Sequence, residues 1–108
     1  MATLSAEHLD IQDFLTCKDL KREREEGDIS TFNISVLASE EFLKIANTDE
    51  GSPENLILDQ ISRQAWSTGE PGLLYVDTIN QNNLLYEKDG PILATNPCGM
   101  KVSCRFQW

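Results

Sequence analysis

Positive charge is scarce in this chain. Nine Lys and Arg stand against eighteen Asp and Glu, which leaves a formal net charge of −9. A surface with that balance repels phosphate backbones and anionic headgroups, so neither nucleic acid nor an acidic membrane is an expected partner. Long apolar runs are missing too. Asp, Glu, Asn or Gln interrupts every candidate before it reaches the ~20 residues that a membrane span needs. No basic region followed by an apolar core opens the chain, so a secretory leader is not expected and the cytoplasm is the expected setting. Cysteine is sparse as well. Cys17, Cys98 and Cys104 make an odd number without close pairing, which fits a reducing compartment rather than a disulfide framework. Together with the one histidine, His8, they lack the spacing of a zinc site, and His8 reads instead as a helix-entry residue.

What is present is an ordinary globular composition. The 108 residues are 40% hydrophobic and 25% charged, enough for one domain with a modest core. Residues 1–4 lean apolar and suit a truncated strand. Ile11, Phe14 and Leu15 recur at helical spacing, and Asp10 and Asp13 suit the positive end of a helix dipole. The spacing predicts a helix from about Asp10 through Cys17, an inert thiol, into the mixed-charge run 18–26, closing at Gly27. Opposite signs in that run mark a solvated helix face.

Over residues 31–38 the period changes to two. Phe32, Ile34 and Val36 alternate with Asn33 and Ser35, the pattern of a strand with one apolar and one polar face. Ser39 then caps a short helix with Glu40 and Glu41 in its first turn and Phe42, Leu43 and Ala46 facing inward. Residues 47–52 form an acidic linker. Ser52-Pro53 opens the strongest helix, with Leu58, Ile61 and Ala65 in line, Ile57 and Trp66 flanking them as packing residues, and Gly69 as its stop. After a Pro71-Gly72 turn, residues 73–76 read as an apolar strand buried on both faces, followed at Asp77 by a polar loop over residues 79–83. Gly90-Pro91 turns the chain into Ile92-Leu93-Ala94 and then Thr95-Asn96-Pro97-Cys98-Gly99. That pentapeptide is a strand end entering a tight loop with a thiol at its tip, because Pro97 cannot donate to a ladder and Gly99 reaches angles closed to other residues. Helices alternate with strands without hairpin signals or repeats, so the fold class is α/β.

Three stretches, in this order, resemble one family. They are Phe32-Asn33-Ile34-Ser35-Val36, then Trp66-Ser67-Thr68-Gly69-Glu70-Pro71-Gly72 running into Asp77-Thr78-Ile79-Asn80, then Ala94-Thr95-Asn96-Pro97-Cys98-Gly99. With Met1-Ala2-Thr3-Leu4 and His8-Leu9-Asp10-Ile11, where Leu9 replaces a usual proline, the chain resembles the large catalytic subunit of ribonucleotide reductase. The adenosylcobalamin-dependent branch is the most similar, over nearly the whole chain up to about Gly99. The resemblance implies a ten-stranded α/β barrel of which this chain is a partial, central segment, with residues 1–99 in the barrel and 100–108 a divergent tail. It maps Cys98 onto the cysteine whose thiyl radical takes the 3′-hydrogen of a ribonucleotide, after which water leaves the 2′-carbon and a cysteine pair supplies electrons. Asn96 maps onto the asparagine that hydrogen-bonds the ribose, a role that suits an amide able to donate and accept without titrating. Asn33 and Ser35 match a polar strand motif near the substrate, and Thr95 joins them as a substrate-binding residue. The implied cofactor is adenosylcobalamin, held outside this chain, and the implied function is deoxyribonucleotide supply for DNA synthesis.

The chain also departs from that family. The glutamate two residues beyond the cysteine, which works on the 3′-hydroxyl, is Met100 here, and a thioether cannot serve as a general base. The family run that holds one member of the redox pair is replaced by residues 101–108, where Cys104 falls too early for that role. The segment between the short helix and Pro53 is shorter than usual. Effector-binding region, phosphate loops and the other redox cysteine would lie outside these residues. Two readings follow. One is a piece of a reductase that works only when joined to the remaining reductase segments. The other is a non-catalytic, small acidic α/β remnant or interaction domain that covers its open strand edges by self-association.

Overall fold

The computed structural model describes residues 1–18, 32–96 and 102–103. Strand β1 (Ala2–Ser5) pairs in parallel with β2 (Ile34–Ala38), and β2 in turn with β3 (Gly72–Tyr75), so strand order follows chain order. The register aligns Leu4, Val36 and Leu73 in one row and Thr3, Ser35 and Gly72 in the next. Successive side chains on a strand point to opposite faces, so the two rows face opposite sides.

The Leu4–Val36–Leu73 row belongs to the core. Val36 and Ala38 cluster there with Ala6, with Ile11 and Leu15 of α1 (Ile11–Thr16), with Phe42 of α2 (Glu40–Thr48) and with Ile61 of α3 (Pro53–Thr68). All three helices therefore lie on one face. A parallel sheet wound in one direction with helices on one face is a segment of an α/β barrel, whereas an open doubly wound sheet reverses its order and carries helices on both faces. The α/β class read from the sequence takes this barrel-like form.

Local chemistry sets the helix ends. Ser52 Oγ accepts from Asn55 N–H at 3.1 Å, Pro53 occupies the first turn, and Gly69 closes α3 in the left-handed region at φ 81°. Ser39 Oγ accepts from Phe42 N–H at 3.1 Å, and Asp77 Oδ2 accepts from Glu40 N–H at 2.6 Å, so α2 is capped twice, once from its own sequence and once from across the sheet. His8 stands at the entry to α1, its carbonyl accepting from Ile11 N–H at 3.1 Å.

Several elements differ from their sequence readings, each for a tertiary reason. Helix α1 ends at Thr16 with Cys17 buried as its cap, and the charged run with its Gly27 stop lies outside the described residues. The strand at β2 begins at Ile34 rather than residue 31, with Phe32 and Asn33 exposed before it, and the hydroxyl on its polar face belongs to a buried Ser35. The expected linker at residues 47–52 is the last turn of α2 followed by a tight turn over residues 49–52. Helix α2 runs to Thr48, and Asn55 Nδ2 of α3 donates to Ala46 O at 2.8 Å, tying the two helices together. Trp66 is 91% exposed and packs on nothing in the core. Strand β3 is an edge strand with Tyr75 exposed, not one buried on both faces. The expected polar loop is helix α4 (Val76–Gln81), followed by the short α5 (Tyr86–Asp89). A hairpin-like antiparallel pair, β4 (Ala94–Thr95) with β5 (Val102–Ser103), also went unread.

One carboxylate links three elements at the start of β2. Glu70 Oε1 accepts from Ile34 N–H at 3.1 Å while Oε2 pairs with the Lys18 ammonium, and both side chains are largely buried, 25% and 11% exposed. Charge-assisted bonds of this kind contribute roughly 1.5–3 kcal/mol, and removing one partner leaves the other poorly solvated. Glu70→Ala is therefore expected to lower unfolding stability by about 3 kcal/mol. Lys18→Met should cost less, because Glu70 keeps Ile34. Urea denaturation of the three chains checks the order, and equal midpoints would show that Glu70 does not tie these elements.

Candidate functional site

The face of the sheet opposite the helices carries Thr3, Ser35 and Gly72 in one register row. Ser35 is 7% exposed, and a Cβ built on Gly72 would sit 2.9 Å from Ser35 Oγ. Glycine here thus leaves room for the serine. The segment that leads to the cysteine comes to this face. Thr3 Oγ1 donates to Leu93 O at 3.4 Å, and Thr95 Oγ1 lies 3.4 Å from Met1 Sδ while donating to Asn96 O at 3.0 Å. The segment therefore runs back along β1 toward the N-terminal ends of the strands.

Asn33 lies at that same end, its carbonyl accepting from Ala2 N–H at 2.9 Å. Of the residues read from the sequence, Thr95 and Asn96 are half-buried at the end of β4, Asn33 is exposed just before β2, and Ser35 is buried one step into it. Four neutral hydrogen-bonding residues thus gather at one end of one sheet. Strands β4 and β5 pair Thr95 with Val102, so they bracket residues 96–101. Pro97, Cys98, Gly99, Met100 and Cys104 lie outside the described residues.

Side chains that the sequence reading did not single out hold the approach to this loop. Asn80 of α4 accepts from Ile92 N–H through Oδ1 at 2.7 Å and donates from Nδ2 to Ile92 O at 3.2 Å. Asn83 Nδ2 donates to Gly90 O at 3.1 Å. Asn83 lies two residues past the end of α4, so the pair shares no helical face, and only the tertiary contact reveals it. Among the described residues no group of three or more His, Cys, Asp or Glu side chains could hold a metal ion.

The Ser35–Gly72 contact gives a test of the inner face. Alanine at Gly72 gains strand propensity but overpacks Ser35, and overpacking typically costs about 1–3 kcal/mol. Gly72→Ala is expected to destabilise by about 1 kcal/mol with Ser35 present and to be neutral or slightly stabilising beside Ser35→Ala. A double-mutant cycle by urea unfolding reads the coupling, and additive effects would mean that the two residues do not share this space.

Relatives of the chain agree with this geometry. The family described as the ribonucleotide reductase barrel domain matches residues 1–54 and 52–103. The chain is 36% identical over 113 aligned positions to a vitamin B12-dependent ribonucleoside-diphosphate reductase of Thermoplasma acidophilum, covering 92% of this chain and 14% of that protein. It is 34% identical to one of Mycobacterium tuberculosis, again covering 92% of this chain and 16% of the relative. Among solved structures, the alpha subunit of the Actinobacillus ureae class Id ribonucleotide reductase superposes with a TM-score of 0.73 at 18% identity, covering 94% of this chain and 19% of that one. The chain thus spans about a sixth of the curated relatives it matches. The family model reaches from residue 1 to residue 103, and this chain belongs to the ribonucleotide reductase barrel-domain family.

Proposed function

We propose that this chain forms the part of a vitamin B12-dependent ribonucleoside-diphosphate reductase that presents the cysteine loop to the substrate ribose. The observation that carries the reading is the course of residues 92–96, which lie along β1 on the helix-free face and run directly into Pro97-Cys98-Gly99. Asn96 hydrogen-bonds a ribose hydroxyl, and Thr95, Asn33 and Ser35 line the neighbouring wall with neutral donors and acceptors. The Cys98 sulfur, as a thiyl, takes the 3′-hydrogen from the ribose and becomes a thiol, leaving the radical on the 3′-carbon. The step requires that the sulfur meet one hydrogen and no solvent.

The relatives named as B12-dependent imply adenosylcobalamin as the radical source. The cofactor, the electron-supplying cysteine pair and the remaining barrel strands belong to other reductase segments. No helix among the described residues is long and apolar enough to cross a membrane, and the cytoplasm is the setting we assign.

Met100 favours a second reading, a non-catalytic domain, because the carboxylate expected at that position is absent. One assay decides between them. The chain is combined with separately expressed remaining segments of a related B12-dependent reductase, adenosylcobalamin, a dithiol reductant and a ribonucleoside diphosphate. The expected outcome is slow deoxyribonucleotide formation that Cys98→Ser abolishes and Met100→Glu raises by about a hundredfold, the lower range for general acid–base catalysis. No product from either the native chain or Met100→Glu would sink the catalytic reading and leave the interaction domain.

A further inference from the structure

Residues 90–95 reach the inner face with little ladder support of their own, since β4 is two residues long and pairs only beyond Ile92. What holds the approach is side-chain amide. Asn80 meets both backbone groups of Ile92, as a neighbouring strand would, and Ile92 is buried at 8% exposure. Asn83 holds Gly90, where the backbone turns at φ 80°, and its Nδ2 lies 3.4 Å from Asn80 Oδ1, so the two amides form one network.

The helix behind this network is itself anchored. Asp77 in its first turn caps α2 through Glu40 N–H, Gln81 at its end donates to Glu40 Oε1 at 3.2 Å, and Asn80 Nδ2 also reaches Val76 O at 2.9 Å. A fixed helix therefore carries a fixed amide, and that amide selects which residue of the loop approach sits opposite it. Sliding the segment by one residue would put Pro91, which has no N–H, or Leu93, whose carbonyl meets Thr3, against Asn80. Only Ile92 satisfies both ends of the carboxamide.

We propose that Asn80 is the positioning residue of the segment that leads to Cys98, its carboxamide setting the register in which residues 92–96 lie on the inner face. The inference rests on the catalytic reading for its functional consequence, while its structural half stands apart from it. In such a site a displacement of about 1 Å at the reacting atom can cost a hundredfold in rate, so register is where an amide remote from the ribose acts.

Hydrogen exchange on the intact chain tests the structural half. Asn80→Ala should speed exchange at the Ile92 amide at least tenfold, while the Glu40 amide and the β2 amides keep their protection. Asn80→Asp, which keeps an acceptor for Ile92 N–H but no donor for Ile92 O, should fall between the two, and Asn82→Ala, at the exposed end of α4, should match the native chain. Unchanged protection at Ile92 would overturn the proposal. So would an equal loss across α4 and β2, because Asn80 would then be a structural strut only. In the complementation assay, Asn80→Ala should lower kcat at least tenfold with KM within twofold, and an unchanged kcat would overturn the functional half. If the native chain gives no product there, the catalytic reading has failed while the exchange result still decides the register.

Discussion

Everything in this structure depends on β2 being buried on both faces. Val36 and Ala38 are sealed under α1, α2 and α3, Ile34 is buried at the start of the strand, and Ser35 is covered on the other side. A strand closed in this way can have no water on its backbone, so its ends must be satisfied by the chain. Glu70 does this at Ile34 N–H, and Asn33 O is taken by Ala2. Once helices occupy one face, the loop approach has only the other face to occupy, and the sheet brings residues 93–95 back beside Met1 and Thr3 across separations of 90 and 94 residues in sequence.

The parts of this arrangement that could be read from the sequence are those with local causes. Ser39, Ser52, Pro53 and Gly69 act through neighbours three or four residues away, and the helices they bound appear where their chemistry puts them. The misreadings have distant causes. An asparagine-rich run has weak helix propensity and suggests a loop, yet α4 forms because Asn80 finds Ile92 and Asp77 finds Glu40, partners twelve and thirty-seven residues away. Ser35 looked like a polar face because period two says nothing of what lies opposite it. Tyr75 and Leu74 looked buried because an apolar run does not announce that it is an edge.

The candidate site divides along the same line. The motif around Thr95 and Asn96 was visible as a motif, since its chemistry is contiguous, and it carried the family assignment that the relatives share. The residues that aim it were not visible. Thr3 and Asn80 act from ninety and from twelve residues away on a segment that neither adjoins in sequence. Asparagine suits such work better than a charged residue, because one carboxamide matches a peptide group donor for acceptor and acceptor for donor.

Charge completes the argument about what this part of a barrel can meet. Two acidic groups beside the sheet are occupied as acceptors for backbone or as ion-pair partners: Asp77 at Glu40 N–H, Glu70 at Ile34 N–H and Lys18. Two cations are occupied likewise, Lys18 by Glu70 and Arg63 by Asp59 at 2.8 Å. A chain with a net charge of −9 opposes a diphosphate rather than attracting it. The residues gathered at the end of the sheet, Asn33, Ser35, Thr95 and Asn96, are all neutral, and neutral amides and hydroxyls pair with sugar hydroxyls at no electrostatic cost. On the proposed reading this segment therefore meets the ribose, and the phosphates fall to a more basic part of the enzyme.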